Sequence, residues 1–441
     1  MSIDIREPVI TVGIADMQAG VAGRLNGNFL IEGTGLLSGP FRASADSEGI
    51  LLFDEGDRVV ARAPSVRLAA REGSTFRISD VTIGIRFHWE RKEDQVFEGN
   101  LILTARGTDN IAIINEIPLE NYLVSVISSE MSGTAPPEFL KVHSIISRSW
   151  LLAALERKNT AHKPAERPGT EELIRWYNRE DHDIFDVCAD DHCQRYQGIT
   201  KIISDAAANA VNETRGYVIA YGGSVCDARY FKACGGITEN YETAWEETPI
   251  PYLVSISDSR DALPPVVSEE KAAEWVKSLP DVYCNTQDEE LLAEILPGFD
   301  RETTHFFRWK VEYTRSQLEE IIRQKSGIDF GTLQDLAPLE RGPSGRIKRL
   351  KVTGSKQSIV IGKELEIRRW LSPTHLYSSA FVVSKDFAPD GRPDRFVFNG
   401  AGWGHGVGLC QIGAAVMAKK GFTAKEILAH YFTGAGIKKI Y

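Results

Sequence analysis

No apolar run in these 441 residues approaches the roughly 20 that a membrane-spanning helix needs. Nor do Lys and Arg gather into a patch. The 51 basic and 61 acidic residues leave a formal charge of −10, which favours neither nucleic acid nor an anionic lipid surface as partner. Cysteine is scarce. Six residues, at 188, 193, 226, 234, 284 and 410, are too few and too scattered to staple a small disulfide fold. The opening Met1-Ser-Ile-Asp-Ile-Arg-Glu-Pro8 lacks the charged-then-apolar pattern of an export signal, so the chain as written reads as cytoplasmic. What is present is ordinary globular composition, 42% hydrophobic and 25% charged, with length for about two to three domains.

Residues 1 to about 116 read as short strands separated by Gly and Asp turns: Val9–Ile14, Gly49–Phe53, Val59–Ala63, Thr82–Phe87, Phe97–Leu103 and Ile111–Ile114. No chemistry-bearing residues cluster there, so scaffold or binding module is the expected role. The pattern then changes. From Leu119, apolar residues recur at helical spacing through Leu123, Val126 and Ile127. Glu130 falls three and four places beyond the last two, on the same stripe. One reading ends the helix there with Glu130 in water. The other buries the carboxyl, which raises its pKa and prepares it as a general acid.

A second helix is expected from about Pro137 to Glu156, with Phe139, Val142, His143, Ile146 and Trp150 facing the core. His143 reads as a packed core histidine. Lys141 and Arg148, one heptad apart, are either a solvated face or two cations presented toward whatever Glu130 contacts. After a polar stretch at 157–181 come His182, Cys188, His192 and Cys193, the ligand inventory of a tetrahedral zinc site. A reactive or incidental cysteine pair is the competing reading. A helix about Ser204–Glu213 and a hairpin turning at Tyr221–Ser224 lead into Cys234-Gly-Gly-Ile-Thr-Glu239. Residues 258–305 are acidic and irregular. A strand Trp309–Tyr313, a helix Arg315–Lys325 and a strand-rich stretch at 346–382 follow. The tail is glycine-dense over Gly400–Gly413 around Trp403 and His405, and reads as a loop whose backbone and imidazole face a ligand. It enters a helix Leu409–Lys419. A last helix opens on the capping box Thr423-x-x-Glu426.

Taken together, Ile117-Pro-Leu-Glu-Asn-Tyr-Leu123, Glu130-Met131, the Gly-Gly-x-Thr-Glu segment at 235–239 and Gly402-Trp-Gly-His-Gly-Val-Gly408 resemble the SpoIID/LytB family of bacterial cell-wall proteins. The resemblance runs from about Glu7 to the C-terminus. It implies a lytic transglycosylase of peptidoglycan that cleaves the β-1,4 bond between N-acetylmuramic acid and N-acetylglucosamine, leaves a 1,6-anhydro end and prefers strands stripped of stem peptides. By the same resemblance Glu130 is the catalytic acid/base and Lys141 and Arg148 assist it. His182, Cys188, His192 and Cys193 match a structural zinc cluster. His405, Tyr230, Cys234, Trp403 and Gln411 are the expected substrate contacts. Two departures stand out: Cys234 and Cys410 occupy positions where the family commonly has serine, and Ile412 replaces a tyrosine.

The expected fold is α+β: a strand-rich region over 1–116, then a mixed α/β core of SpoIID type with a substrate cleft over 117–441, in which 258–345 is an inserted or accessory subdomain. Two functions from different classes follow from the resemblance, a glycan-cleaving enzyme and a non-catalytic wall-binding protein that stimulates a partner amidase. Either substrate implies the cell envelope, against the absent export pattern.

Overall fold

Period-two alternation decides the N-terminal half. In Gly20–Ile31 the buried Val21, Leu25, Phe29 and Ile31 all fall at odd positions, in Thr75–Ile83 the phase shifts once at a bulge between Ile78 and Val81, and Phe29, Phe76, Phe97, Leu68, Leu101 and Leu103 are almost fully removed from solvent. The computed structural model describes residues 6–85, 90–158, 167–168, 171–177, 182–298, 300 and 305–441. Within them the fold is α+β. Its largest part is an eleven-stranded sheet whose strands include Val9–Gln18, Asn100–Arg106, Asn110–Pro118 and Gly35–Asp46. Three of its strands, Gly20–Ile31, Gly35–Asp46 and Ser65–Ala70, were not expected from the sequence. The expected strand Thr82–Phe87 ends at Ile83 in the structure, and residues 86–89 lie outside the described residues.

The expected strand Phe97–Leu103 is two strands meeting at Gly99. Gly99 has φ +83°, and a Cβ there would sit 2.5 Å from the Glu116 carbonyl oxygen, so the turn admits only glycine.

Sheet and helices share one core. It runs from Ile10 through Phe97 to the helix Leu119–Glu130, on to the helix Pro137–Lys158, and ends at Phe432. An aromatic ladder makes the join: Phe76 stacks on Phe97, Phe97 meets Tyr196, and Tyr196 stacks on Tyr122 of the first helix at 5.1 Å. The short strand Val187–Cys188 adds itself in parallel to Val9–Gln18, so the second half of the chain also completes the sheet. A second, separate core spans Trp309–Phe398, built from the strands Arg308–Thr314, Leu333–Arg341, Ile347–Gly354, Ser358–Gly362, Phe381–Phe387 and Pro393–Ala401 and the helices Arg315–Ser326 and Glu364–Trp370. The accessory boundary expected at 345 falls in the turn between two of those strands. Among the described residues no helix is long and apolar enough to cross a membrane.

Gly107 also has positive φ, but a Cβ there meets nothing within 4 Å. Gly107→Ala is expected to cost about 1–2 kcal/mol from the backbone alone. Gly99→Ala adds a backbone clash and should cost about 2–5 kcal/mol. Urea denaturation of the two variants checks the difference.

Candidate functional site around Glu130

The first helix is buried on nearly every side; even Glu120, Ser125, Ser128 and Ser129 are covered. Glu130 is its last residue and is 9% exposed. A carboxylate in that place needs donors, and two distant segments supply them. The backbone N–H of Arg195 donates to Glu130 Oε1 at 3.0 Å, and the Tyr230 hydroxyl donates to the same oxygen at 3.1 Å. Oε2 has no hydrogen-bond partner among the described residues. Lys232 lies two places beyond Tyr230 on the same side of extended backbone. Its ammonium donates to the Glu130 carbonyl at 3.4 Å and pairs with buried Asp300 at 2.6 Å. Arg195 pairs with Asp191 and Asp300. Burial pushes the Asp191 carboxyl up, with Arg195 opposing and Glu130 and Asp300 reinforcing the rise. Burial would lower Arg195, but the three surrounding carboxylates hold it charged, above its ordinary value.

His143 belongs to the same neighbourhood as a supporting side chain. It is fully buried, its ring 4.9 Å from that of Tyr230, and Nε2 meets the Gln411 side chain at 3.0 Å. Burial, then the Lys232 charge, lowers its pKa to about 3, so it stays neutral near pH 7.

Arg195 is positioned by the turn that carries His182, Cys188, His192 and Cys193. Their ligand atoms lie within 4.8 Å of one another, and His182 Nε2 is 3.3 Å from Cys193 Sγ. Adjacent His192 and Cys193 converge because the chain turns tightly, with Cys193 N–H on the Asp190 carbonyl and Tyr196 N–H on Ala189. Hydrogen bonds from Cys193, then from the two imidazoles, outweigh burial and pull the Cys188 thiol far below its usual range. A thiolate-rich, two-histidine donor set of this size fits a tetrahedral metal. Beyond Cys193 the segment is locked to the first helix: Tyr122 donates to Gln194 at 3.0 Å, and Gln197 N–H donates to Ser125 at 3.2 Å.

Several expected site residues go elsewhere. Arg148 is fully buried and clasps Glu120 at 2.9 and 2.6 Å, while also donating to the Tyr217 carbonyl. It reaches neither Glu130 nor solvent. Lys141 bridges Glu138 and Glu213 at 3.0 and 2.8 Å. Cys234 and Gln411 are buried, 1% and 2% exposed. The glycine-dense tail spends its backbone internally: Gly404 N–H donates to Tyr377, Trp403 N–H to Ala233, and the Gly406 carbonyl accepts from Glu239. It folds over buried Arg346, whose guanidinium donates to the Gly404 carbonyl, and a Cβ on Gly406 would fall 2.5 Å from Arg346 Cζ. The ligand-facing loop is thus a strap. His405 packs between Phe231 and Trp245 and is partly exposed, as is Trp403, which stacks on Phe306. Phe231 lies between Tyr230 and Lys232, so His405 meets the opposite side of that backbone from Glu130.

Comparison with known proteins matches residues 107–221 to the SpoIID family, stage II sporulation protein, and residues 239–408 to a domain of unknown function, DUF8618. The chain is 24% identical over 332 residues to stage II sporulation protein D of Bacillus subtilis (strain 168), covering 74% of this chain and 76% of that one. Its likeness to the Bacillus amyloliquefaciens protein of the same name is 24% over 343 residues, 75% and 77% of the two chains. The chain carries a SpoIID domain at residues 107–221. It is also 24% identical over 246 residues to the amidase enhancer of Bacillus subtilis (strain 168), 51% of this chain and 31% of that one.

The SpoIID match contains Glu130, both central helices and the His/Cys turn, and stops before Tyr230 and Lys232. Those two were legible as an alternate pair on extended backbone, but Arg195, Asp191 and Asp300 gave no periodic or motif signal. Arg148→Met leaves the buried Glu120 carboxylate without its cation and is expected to cost about 3–5 kcal/mol. Lys141→Ala, on a part-exposed pair, should cost less than about 1 kcal/mol. Chemical denaturation of both, with Arg148→Met/Glu120→Gln recovering part of the first loss, checks the assignment.

Proposed function

We propose that this protein cleaves peptidoglycan glycan strands as a lytic transglycosylase, with Glu130 as its single acid/base. One observation carries the reading: a buried carboxyl at a helix end has one oxygen held by two donors and the other without a partner, while the nearby carboxylates are committed to cations. Glycosidases that use water need two working carboxyl groups. A transglycosylase needs one, because the sugar supplies its own nucleophile. Protonated Glu130 gives its proton to the bridging oxygen as the C1–O4 bond breaks. The 6-hydroxyl of the muramic residue then bonds to C1 and returns a proton to Glu130. No water is consumed. Tyr230 and the Arg195 N–H fix Oε1, so that the exchange takes place at Oε2. Arg148 and Lys141 act through the scaffold. His405 and Trp403 offer part-exposed surface for sugar on the far side of the Tyr230–Lys232 backbone.

We further assign a structural zinc ion to His182, Cys188, His192 and Cys193. Bound there, it would hold the turn that presents Arg195 to Glu130. A second functional reading rests on the likeness to a protein named amidase enhancer: a wall-binding, non-catalytic protein that stimulates a partner amidase. Both place the protein's work at the cell wall.

Incubation with stem-peptide-free glycan strands, read by mass spectrometry, should yield anhydro-muramyl ends. Glu130→Gln should lower their rate about 10²–10⁴-fold. Undiminished activity in that variant contradicts the mechanism. Unchanged strands with wild-type protein, together with faster peptide release by an added amidase, favour the second reading. Cys188→Ser/Cys193→Ser is expected to lose one zinc ion by metal analysis and to lower the transglycosylase rate without touching Glu130.

A further inference from the structure

Behind the strap, four donors from four separate segments meet in the core. Cys234 follows the Tyr230–Lys232 backbone, Asp258 lies in the loop after the Ile237–Ser257 bridge, Cys284 precedes the helix Glu289–Ile295, and Cys410 caps the helix Gln411–Lys419. All four are buried, between 0% and 3% exposed. Their ligand atoms lie within 4.8 Å of one another. We propose that Cys234, Cys284, Cys410 and Asp258 hold a second zinc ion, distinct from the one at residues 182–193.

Geometry distinguishes this cluster from a disulfide. The sulfurs of Cys234 and Cys284 are 3.4 Å apart, well beyond the ~2.05 Å of an S–S bond. Zn–S bonds of ~2.3 Å in a tetrahedron set neighbouring sulfurs about 3.8 Å apart, so a small outward shift admits the ion. Two of the three sulfurs accept backbone hydrogen bonds. Cys234 Sγ accepts from Gly236 N–H at 3.3 Å, and Cys410 Sγ accepts from Gly413 N–H at 3.4 Å and Cys234 N–H at 3.3 Å. Backbone donors to sulfur are what orient and stabilise metal-bound thiolates.

Asp258 makes the stronger case. Its carboxyl is fully buried and pairs with no cation among the described residues; it accepts from the Tyr431 hydroxyl at 2.5 Å and Cys284 N–H at 2.7 Å. Each oxygen keeps a lone pair. An isolated buried carboxylate is costly, and a divalent ion removes that cost. Gly413 leaves the space that this carboxyl occupies: a Cβ there would lie 2.4 Å from both Asp258 Oδ1 and the Tyr431 hydroxyl. Three sulfurs and one oxygen in a tetrahedron select zinc over the oxygen-loving divalent ions. Three thiolates and a carboxylate over-neutralise the ion, and the Arg308 guanidinium, which donates to the Gly235 carbonyl beside Cys234 at 3.0 Å, brings positive charge close by. The ion would pin the backbone bearing Tyr230 and Lys232 to the helix bearing Gln411. It would thereby fix the far wall of the Glu130 site.

Metal analysis of the purified full chain is expected to give two zinc ions, with one retained in Cys188→Ser/Cys193→Ser and one lost in Cys284→Ser/Cys410→Ser. Removing buried thiols can unfold a protein, so zinc X-ray absorption of the unaltered chain provides the independent reading. Both sites filled give five sulfur and three nitrogen or oxygen ligands per two ions. A single zinc with two sulfurs and two nitrogens overturns the proposal. So does a Cys188→Ser/Cys193→Ser protein without metal, or a Cys234–Cys284 disulfide found by peptide mapping.

Discussion

A carboxylate closed into the end of a buried helix must be given hydrogen bonds, and satisfying Glu130 organises the centre of this molecule. One donor is a backbone N–H, which requires residues 193–197 to lie along the first helix. The other is a phenol, which requires the Tyr230–Lys232 backbone to arrive from the opposite direction. Each arrival is secured at a distance. The His/Cys turn anchors the first segment to the sheet edge, and the Cys234 and Cys410 segments anchor the second to the C-terminal helices. Oε1 is held from two sides; Oε2 has no hydrogen-bond partner among the described residues.

The buried Arg148–Glu120 pair shows how stability and function divide. It ties both central helices to the hairpin at Tyr217, and the Tyr441 hydroxyl also reaches Glu120. Charge this deep is retained through its geometry and is strongly destabilising once broken. The cations that touch the Glu130 site are Arg195 and Lys232. They come from segments that no helical periodicity marks.

Helical periodicity put Glu130 in line with the apolar stripe but left burial and exposure both open; the Glu-Met pair of the SpoIID resemblance singled it out, and its contacts with Arg195 and Tyr230 decide for burial. The convergence of His182, Cys188, His192 and Cys193 was readable because the four are close in sequence. The heptad spacing of Lys141 and Arg148 left two readings open and the resemblance turned both toward Glu130, whereas Lys141 pairs with Glu138 and Glu213 and Arg148 with Glu120. Three strands of the large sheet, Gly20–Ile31, Gly35–Asp46 and Ser65–Ala70, were missed. The glycine-dense tail read as a ligand loop, whereas its glycines admit Arg346 from within. Cys234, Asp258, Cys284 and Cys410 are separated by 24, 26 and 126 positions and form no motif. Only the fold gathers them.

The central claim is that one carboxyl group suffices because the sugar attacks itself. Cleavage of peptide-free glycan strands in ¹⁸O-enriched water tests this most directly. A single-carboxyl transglycosylase yields anhydro-muramyl ends with no solvent oxygen. Products carrying one ¹⁸O at the new reducing end would mean that water was the nucleophile, and would contradict the account.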